Sequence, residues 1–234
     1  MRSSPTRSTS SIPGRTTAGQ PLKPNKVISR TKKVIGSFAR TAWIELIFFG
    51  SGFAALAYQL CWQRVLFASF GIDIESVTII VSTFMLGLGV GAIGGGWAAD
   101  RYPHRLLSLF ACCEAAIGLF GLASVALIRQ IADWFVLAPV PVIATVSFII
   151  LALPTSMMGA TLPMLVAHVV RRNGNVGASI GSLYFANTLG AATGCMVVGF
   201  FWFYSFDLPS AVRTAAAVNF LVAITTILAA LRTR

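Results

Sequence analysis

"SGFAALAYQLCWQRVL", residues 51–66, opens with small residues, passes Tyr58 and Gln59, and closes on an aromatic beside a charge, Trp62 to Arg64. Alone, it fits either a small-residue phosphate loop leading into a soluble enzyme helix or a membrane helix that carries a polar stripe. Its flanks decide. The 234-residue chain is 56% hydrophobic and 11% charged, with a mean hydropathy of +0.79, whereas a soluble domain carries about 25% charged residues. Such a deficit is what a lipid-facing surface needs. Several runs approach or pass the roughly 18 to 20 apolar residues that cross a bilayer, so the stretch is read as part of a membrane helix.

On either side of it, six spans can be drawn in an all-α membrane protein. They run from about Trp43 to Trp62 with an extension toward Phe70, Val77 to Ala99, Leu106 to Ile128, Val140 to Val170, Ala178 to Phe203, and Ala211 to Leu231. The fourth carries Pro154 and Pro163, so a kink or a break is expected in it. The segments between spans are too short for a soluble domain. Two regions result: a tail over residues 1–40 and a six-helix transmembrane domain over residues 41–234.

The formal net charge of +11 is unevenly placed. Residues 1–40 hold nine Lys or Arg and no acid, while residues 41–234 hold nine basic residues against seven acids. The tail's Ser, Thr, Pro and Gly content offers little to bury, so disorder is expected. Arg30, Lys32 and Lys33 stand where they would meet anionic headgroups. The acid-free, Arg- and Ser-rich start also fits an organelle transit peptide. Nucleic-acid binding is disfavoured, because no aromatic residue is interleaved with the charges. With the amino terminus inside, fifteen Lys and Arg fall on the cytoplasmic side and three, Arg64, Arg129 and Arg213, on the other. The positive-inside rule therefore places both termini in the cytoplasm.

Cys61, Cys112, Cys113 and Cys195 all lie in hydrophobic segments and read as small apolar fillers. With only His104 and His168 beside them, no zinc-ligand spacing is present, and neither metal, disulfide nor cofactor is assigned. Glycine is more informative. Gly87, Gly91 and Gly95 recur every four residues in the second span, and Gly190 and Gly194 do so in the fifth. These stripes let backbones approach closely. They also fall on the second helix of each set of three, which fits a three-plus-three inverted repeat; small-xxx-small spacing is equally common in any membrane bundle.

Polar residues inside the spans are the candidate sites, since lipid cannot satisfy them. At about 100° per residue, Glu45, Gly52 and Gln59 share a face of the first span, with Gln63 one turn on. Tyr58 and Trp62 form an adjacent stripe near the outer boundary, where anchoring at the membrane interface is the ordinary explanation. Glu114 is the most informative residue, nine positions after Arg105 and so well inside the membrane. A lone carboxylate there should be protonated or paired. It is either a proton or cation site or the acceptor of structural hydrogen bonds from Asn187, Thr188 or Asn219.

Two further stretches stand out. In "GWAADRYPHR", residues 96–105, Asp100 and Arg101 end one helix, Tyr102 and Pro103 turn the chain, and Arg105 begins the next. In "LALPTSMMGATLPMLVAH", residues 151–168, Pro154 and Pro163 flank Gly159 and suit a kinked or discontinuous helix. The first is similar to the loop between the second and third helices of major facilitator transporters: Gly96, Asp100, Arg101 and Arg105 match it, while Pro103 replaces a glycine. The resemblance implies a gating loop on the inner side.

Taken in order, "SGFAALAYQLCWQRVL", "GLGVGAIGGGWAADR", "LPTSMMGATLPML" and "SLYFANTLGAATG" resemble the membrane portion of bacterial spermidine synthase-like proteins, in which a half major facilitator fold is fused to a synthase domain. In that family the position matching Gln59 is often acidic, and the neutral amide here shifts the expected charge-bearing role to Glu114. The fusions continue into a Rossmann-like aminopropyltransferase domain. This sequence holds no glycine-rich nucleotide loop followed by an acidic residue, so it is not expected to catalyse that transfer unaided.

Three functions are compatible with these readings. The first is a transporter-like protein for a cationic or polyamine-like molecule, with Glu114, Glu45, Gln59, Asn187 and Asn219 as its intramembrane polar site. As six spans make half of the usual twelve, it would need a second copy or a second membrane subunit. The second is a non-catalytic membrane subunit for a separately encoded soluble aminopropyltransferase. The third is a structural assembly protein that packs through its glycine faces.

Overall fold

The computed structural model describes residues 24–70, 73–135 and 137–232, with side chains described for residues 42–69, 74–135, 137–172 and 174–232. The chain divides into units Met1–Phe38 and Ala39–Arg234. Residues 1–23 of the expected disordered tail lie outside the described residues, whereas residues 24–40, also expected to be disordered, are helical. All six apolar spans belong to the second unit.

The elements are helices α1 (Pro24–Phe70), α2 (Asp73–Arg101), α3 (Leu106–Phe135), α4 (Val140–Asn173), α5 (Val176–Met196), a π-helical continuation of α5 over Val197–Trp202, the short α6 (Phe203–Ser205) and α7 (Leu208–Arg232). Among the described residues six spans are long and apolar enough to cross a membrane: Ala42–Ser69, Ile74–Arg101, Leu106–Phe135, Val140–Arg172, Val176–Ser205 and Leu208–Arg232. Each contains the stretch drawn from sequence and extends it by up to a few turns. An apolar stretch ends at the hydrocarbon boundary, whereas backbone hydrogen bonding carries the helix on into the headgroup region.

Within the spans several hydroxyl side chains are satisfied locally. Thr83, Thr155 and Thr226 donate from Oγ1 to the carbonyls of Ile79, Leu151 and Val222, each at 2.7 Å. This back-bonding lets a hydroxyl sit in lipid or in a dry core without an orphaned proton. Ile93, Leu119, Ile149 and Phe200 are exposed on the bundle surface, as suits lipid contact.

Short, capped turns join the helices. Gly174 takes φ 68° at the end of α4 and donates its N–H to Val170 O, and Asn175 then caps α5 by accepting from the Ala178 N–H. That left-handed residue ends the helix without strain only as glycine. Of the kink or break expected at Pro154 and Pro163, the break does not occur: α4 is one helix through both prolines. Its backbone is enclosed by close neighbours, for Gly159 lies against the backbone of Leu88.

Glycines set two tight seams. Side chains added at Gly87, Gly91 and Gly95 of α2 would collide with Thr155, Ser156 O and Ala160 O of α4. Added at Gly190 and Gly194 of α5, they would collide with Phe49 O and Phe53 O of α1, and at Gly52 of α1 with Asn187 O of α5. The packing glycines expected from sequence thus bring helix backbones into contact.

The core sits around α1 and α3. Tyr58, Trp62, Phe84 and Ile117 belong to one buried cluster, and Ile44, Phe48, Leu107, Phe110 and Val222 to a second, nearer the end of the bundle at which α3 begins. Glu114 lies on α3 between them in sequence.

Candidate functional site

Three central helices meet at one carboxyl group. Glu114 of α3 is completely buried. Its Oε1 accepts a hydrogen bond from Ser51 Oγ of α1, and its Oε2 one from Asn219 Nδ2 of α7, each at 2.6 Å. The close approach of these helices has a local cause. Gly118, one turn beyond Glu114, faces Ala216 O and Asn219 of α7, and Gly50 faces Val222 and Val218 of the same helix. Small residues at these levels let three backbones converge on the carboxyl group.

Of the partners considered from sequence, Asn219 is the one that bonds Glu114. Asn187 instead donates from Nδ2 to the Phe48 carbonyl of α1 at 3.2 Å, sealing the α1–α5 seam, and Thr188 is exposed. Glu45 and Gln59 are half-buried and stand outside the Glu114 cluster. The polar site drawn along one stripe of α1 is therefore resolved into separate features.

Ser51 was not anticipated. In a run of Gly, Ser and Ala it reads as one more small packing residue, yet its hydroxyl supplies half of the carboxylate's hydrogen bonds. The usable signal was register: Ser51 and Tyr58 are two turns apart on one α1 face, as Glu114 and Gly121 are on α3.

The aromatic stripe is a correction. Tyr58 and Trp62, expected as anchors at the membrane interface, are each 0% exposed and lie in the core. Their rings stack at 5.1 Å, and Trp62 packs edge-on to Phe120 at 5.7 Å. The Trp62 indole donates from Nε1 to Ser124 Oγ at 2.8 Å, and Ser124 donates to the Gly121 carbonyl at 2.7 Å. Tyr58 fits because Gly121 has no side chain where the phenol lies. An indole whose N–H finds a partner in the core has no need of the interface.

The loop between α2 and α3 is open. Asp100, Arg101 and Arg105 are exposed, and Gly96 has nothing within 4 Å of where a side chain would begin. Arg171, at the end of α4, donates to the Ala99 carbonyl in the last turn of α2 at 3.3 Å, a favourable place for a cation. That tie joins the two helices just beside the loop.

At their other ends α2 and α4 border an open groove of about 350 Å³, lined by Thr78, Ser82, Thr83, Thr145 and Phe148 among others. All four cysteines are free: Cys61 is buried, Cys113 and Cys195 are half-buried, and Cys112 is exposed.

Comparison with family models, with curated proteins and with solved structures returns no match. The likeness to spermidine synthase-like membrane domains rests on the four sequence stretches alone, and what the molecule shows is an all-α bundle of six membrane-spanning helices.

Proposed function

We propose that the protein is a proton-coupled transporter subunit in which Glu114 is the coupling group. The observation that carries this reading is a fully buried carboxyl in the middle of a membrane span, held by Ser51 and Asn219 from two other spans. Intramembrane carboxyls are costly and mark ion and proton pathways in transport proteins. Glu114 is closely surrounded, so a bulky substrate does not reach it. A proton needs no cavity, and adding or removing one changes the charge of the group on which α1, α3 and α7 converge.

The two glycine seams support a three-plus-three inverted repeat. Under such a repeat α1 corresponds to α4 and α2 to α5, so that the α2–α4 seam is the counterpart of the α5–α1 seam. Both are made by glycines facing backbone carbonyls. Six spans then form half a facilitator, and a second copy or a second membrane subunit completes the path. The balance of Lys and Arg orients the bundle with both termini in the cytoplasm. The sequence likeness to spermidine synthase-like proteins directs the search for substrate toward polyamine-like cations.

The test is uptake by purified protein in liposomes under an imposed pH gradient, with radiolabelled putrescine, spermidine and ornithine as probes. Accumulation of one of them that collapses with a protonophore supports the proposal. Absence of gradient-driven uptake for all three removes the polyamine assignment, and uptake indifferent to the protonophore removes proton coupling.

A further inference from the structure

The surroundings of Glu114 differ along the membrane normal. Toward the end of the bundle where α1 and α3 enter the membrane, the neighbouring levels are filled by Ile44, Phe48, Leu107, Phe110 and Val222, all buried and apolar, with the Phe48 and Phe110 rings 6.4 Å apart. The polar side chains at this level of α7, Thr225 and Thr226, have their protons committed to the Leu221 and Val222 carbonyls. Toward the other end the seam of α1 and α3 is equally buried, in the cluster of Trp62, Phe84 and Ile117, but polar groups lie within it. Tyr58 is two turns beyond Ser51 and its phenol lies beside Gly121, two turns beyond Glu114. Trp62 and Ser124 follow at the next turn.

Within this ladder one group is out of balance. The Tyr58 hydroxyl is fully buried and has no hydrogen-bond partner, while Asn219 Oδ1, beside the carboxyl group, is likewise buried and unpartnered. An unpaired buried polar group costs about 1–3 kcal/mol. Phenylalanine would fill the same space against Trp62 and Gly121 without that cost. The titratable neighbours are Tyr58 and Cys61 on α1 and Cys113 on α3; α7 contributes the neutral Asn219.

We infer that the Tyr58 hydroxyl is the relay through which Glu114 exchanges its proton, and that exchange takes place with the side on which α1 ends. The inference rests on Glu114 being a proton carrier. The levels of Glu114 and Tyr58 are about 10 Å apart along the helix axes, so a short chain of waters admitted between them carries the proton. The phenol gives its proton to the nearest of these waters, the last passes one to a Glu114 oxygen, and the phenol takes another from a hydronium ion on its outer side, which becomes water. Tyr58 ends as it began, the carboxylate has become a carboxylic acid, and only O–H bonds have formed or broken. On the opposite side the buried levels of α1 and α3 next to Glu114, at Phe48 and Phe110, carry no group that can exchange a proton.

Infrared spectroscopy of the reconstituted full chain tests this without any substrate. The carbonyl stretch of protonated Glu114 is identified as the band lost in Glu114→Gln, and its isotopic shift is timed after a change to D2O. Tyr58→Phe keeps the stacked ring and is expected to slow the shift about 100-fold, the lower end of what a positioned proton-transfer group contributes, with a melting temperature no lower than wild type. Exchange as fast as wild type in a folded Tyr58→Phe protein overturns the relay and leaves the role of Glu114 standing. No band that Glu114→Gln removes at any pH overturns the role of Glu114 itself, and the relay with it. Should Tyr58→Phe not fold, wild-type protein with fluorotyrosine supplies the readout: a more acidic phenol should change the exchange rate, and an unchanged rate refutes the relay.

Discussion

Glu114 accepts one hydrogen bond on each carboxyl oxygen, and hydrogen bonds to a charged group are worth about 1.5–3 kcal/mol. Substitution can separate the role of its shape from that of its proton. In Glu114→Gln the side-chain oxygen still accepts from Ser51, and the new amide donates to Asn219 once that residue turns its own amide over, giving Asn219 Oδ1 the partner it lacks. Unfolding in mixed micelles should show stability within about 1 kcal/mol of wild type, a typical net value for one hydrogen bond. Glu114→Leu strands the Ser51 hydroxyl and the Asn219 amide, at about 1–3 kcal/mol for each. A Leu variant as stable as the Gln variant would show that neither bond matters to the fold. Sequence revealed Glu114 through its depth and acidity, and Asn219 as one of several amides within reach. It concealed Ser51, whose size matches its neighbours, and it misplaced Tyr58 and Trp62, because the space left by Gly121 and the acceptor on Ser124 belong to a different helix.

At the level of elements, glycine has two uses that spacing alone does not separate. Gly91 faces the Ser156 carbonyl across the α2–α4 seam, while Gly89 on the same helix has nothing within 4 Å. Gly91→Ala should force the helices apart and cost about 1–3 kcal/mol, as overpacking does. Gly89→Ala should be neutral or stabilise by about 0.5–1 kcal/mol, the helix preference of alanine over glycine. Equal effects in thermal unfolding would contradict the seam. The four-residue repeats at Gly87, Gly91 and Gly95 and at Gly190 and Gly194 were visible in sequence; which helix each would meet was not, since nothing in α2 specifies α4. The prolines of α4 left kink and break open for a related reason. Proline removes one N–H from a helix, but neighbouring helices decide whether the chain breaks there.

For the molecule as a whole, six spans put both ends of the bundle on one side. Reporter fusions within residues 102–105, at residues 174–175 and after Leu231 should share one compartment, and fusions within residues 137–139 the other. A fusion series that places residues 137–139 with residues 174–175 would rule out the six-span topology. Lipid-depth apolar runs made this architecture readable from sequence, while the convergence of α1, α3 and α7 on one acid emerges only when the spans are packed. The proposed function stands or falls with the coupling of proton movement to transport at this acid. The decisive comparison sets wild type against Glu114→Gln in liposomes, measuring both uphill accumulation driven by a pH gradient and gradient-free exchange of the same labelled polyamine. Loss of accumulation with retention of exchange is the expected result, whereas equal accumulation by the two proteins would refute the coupling.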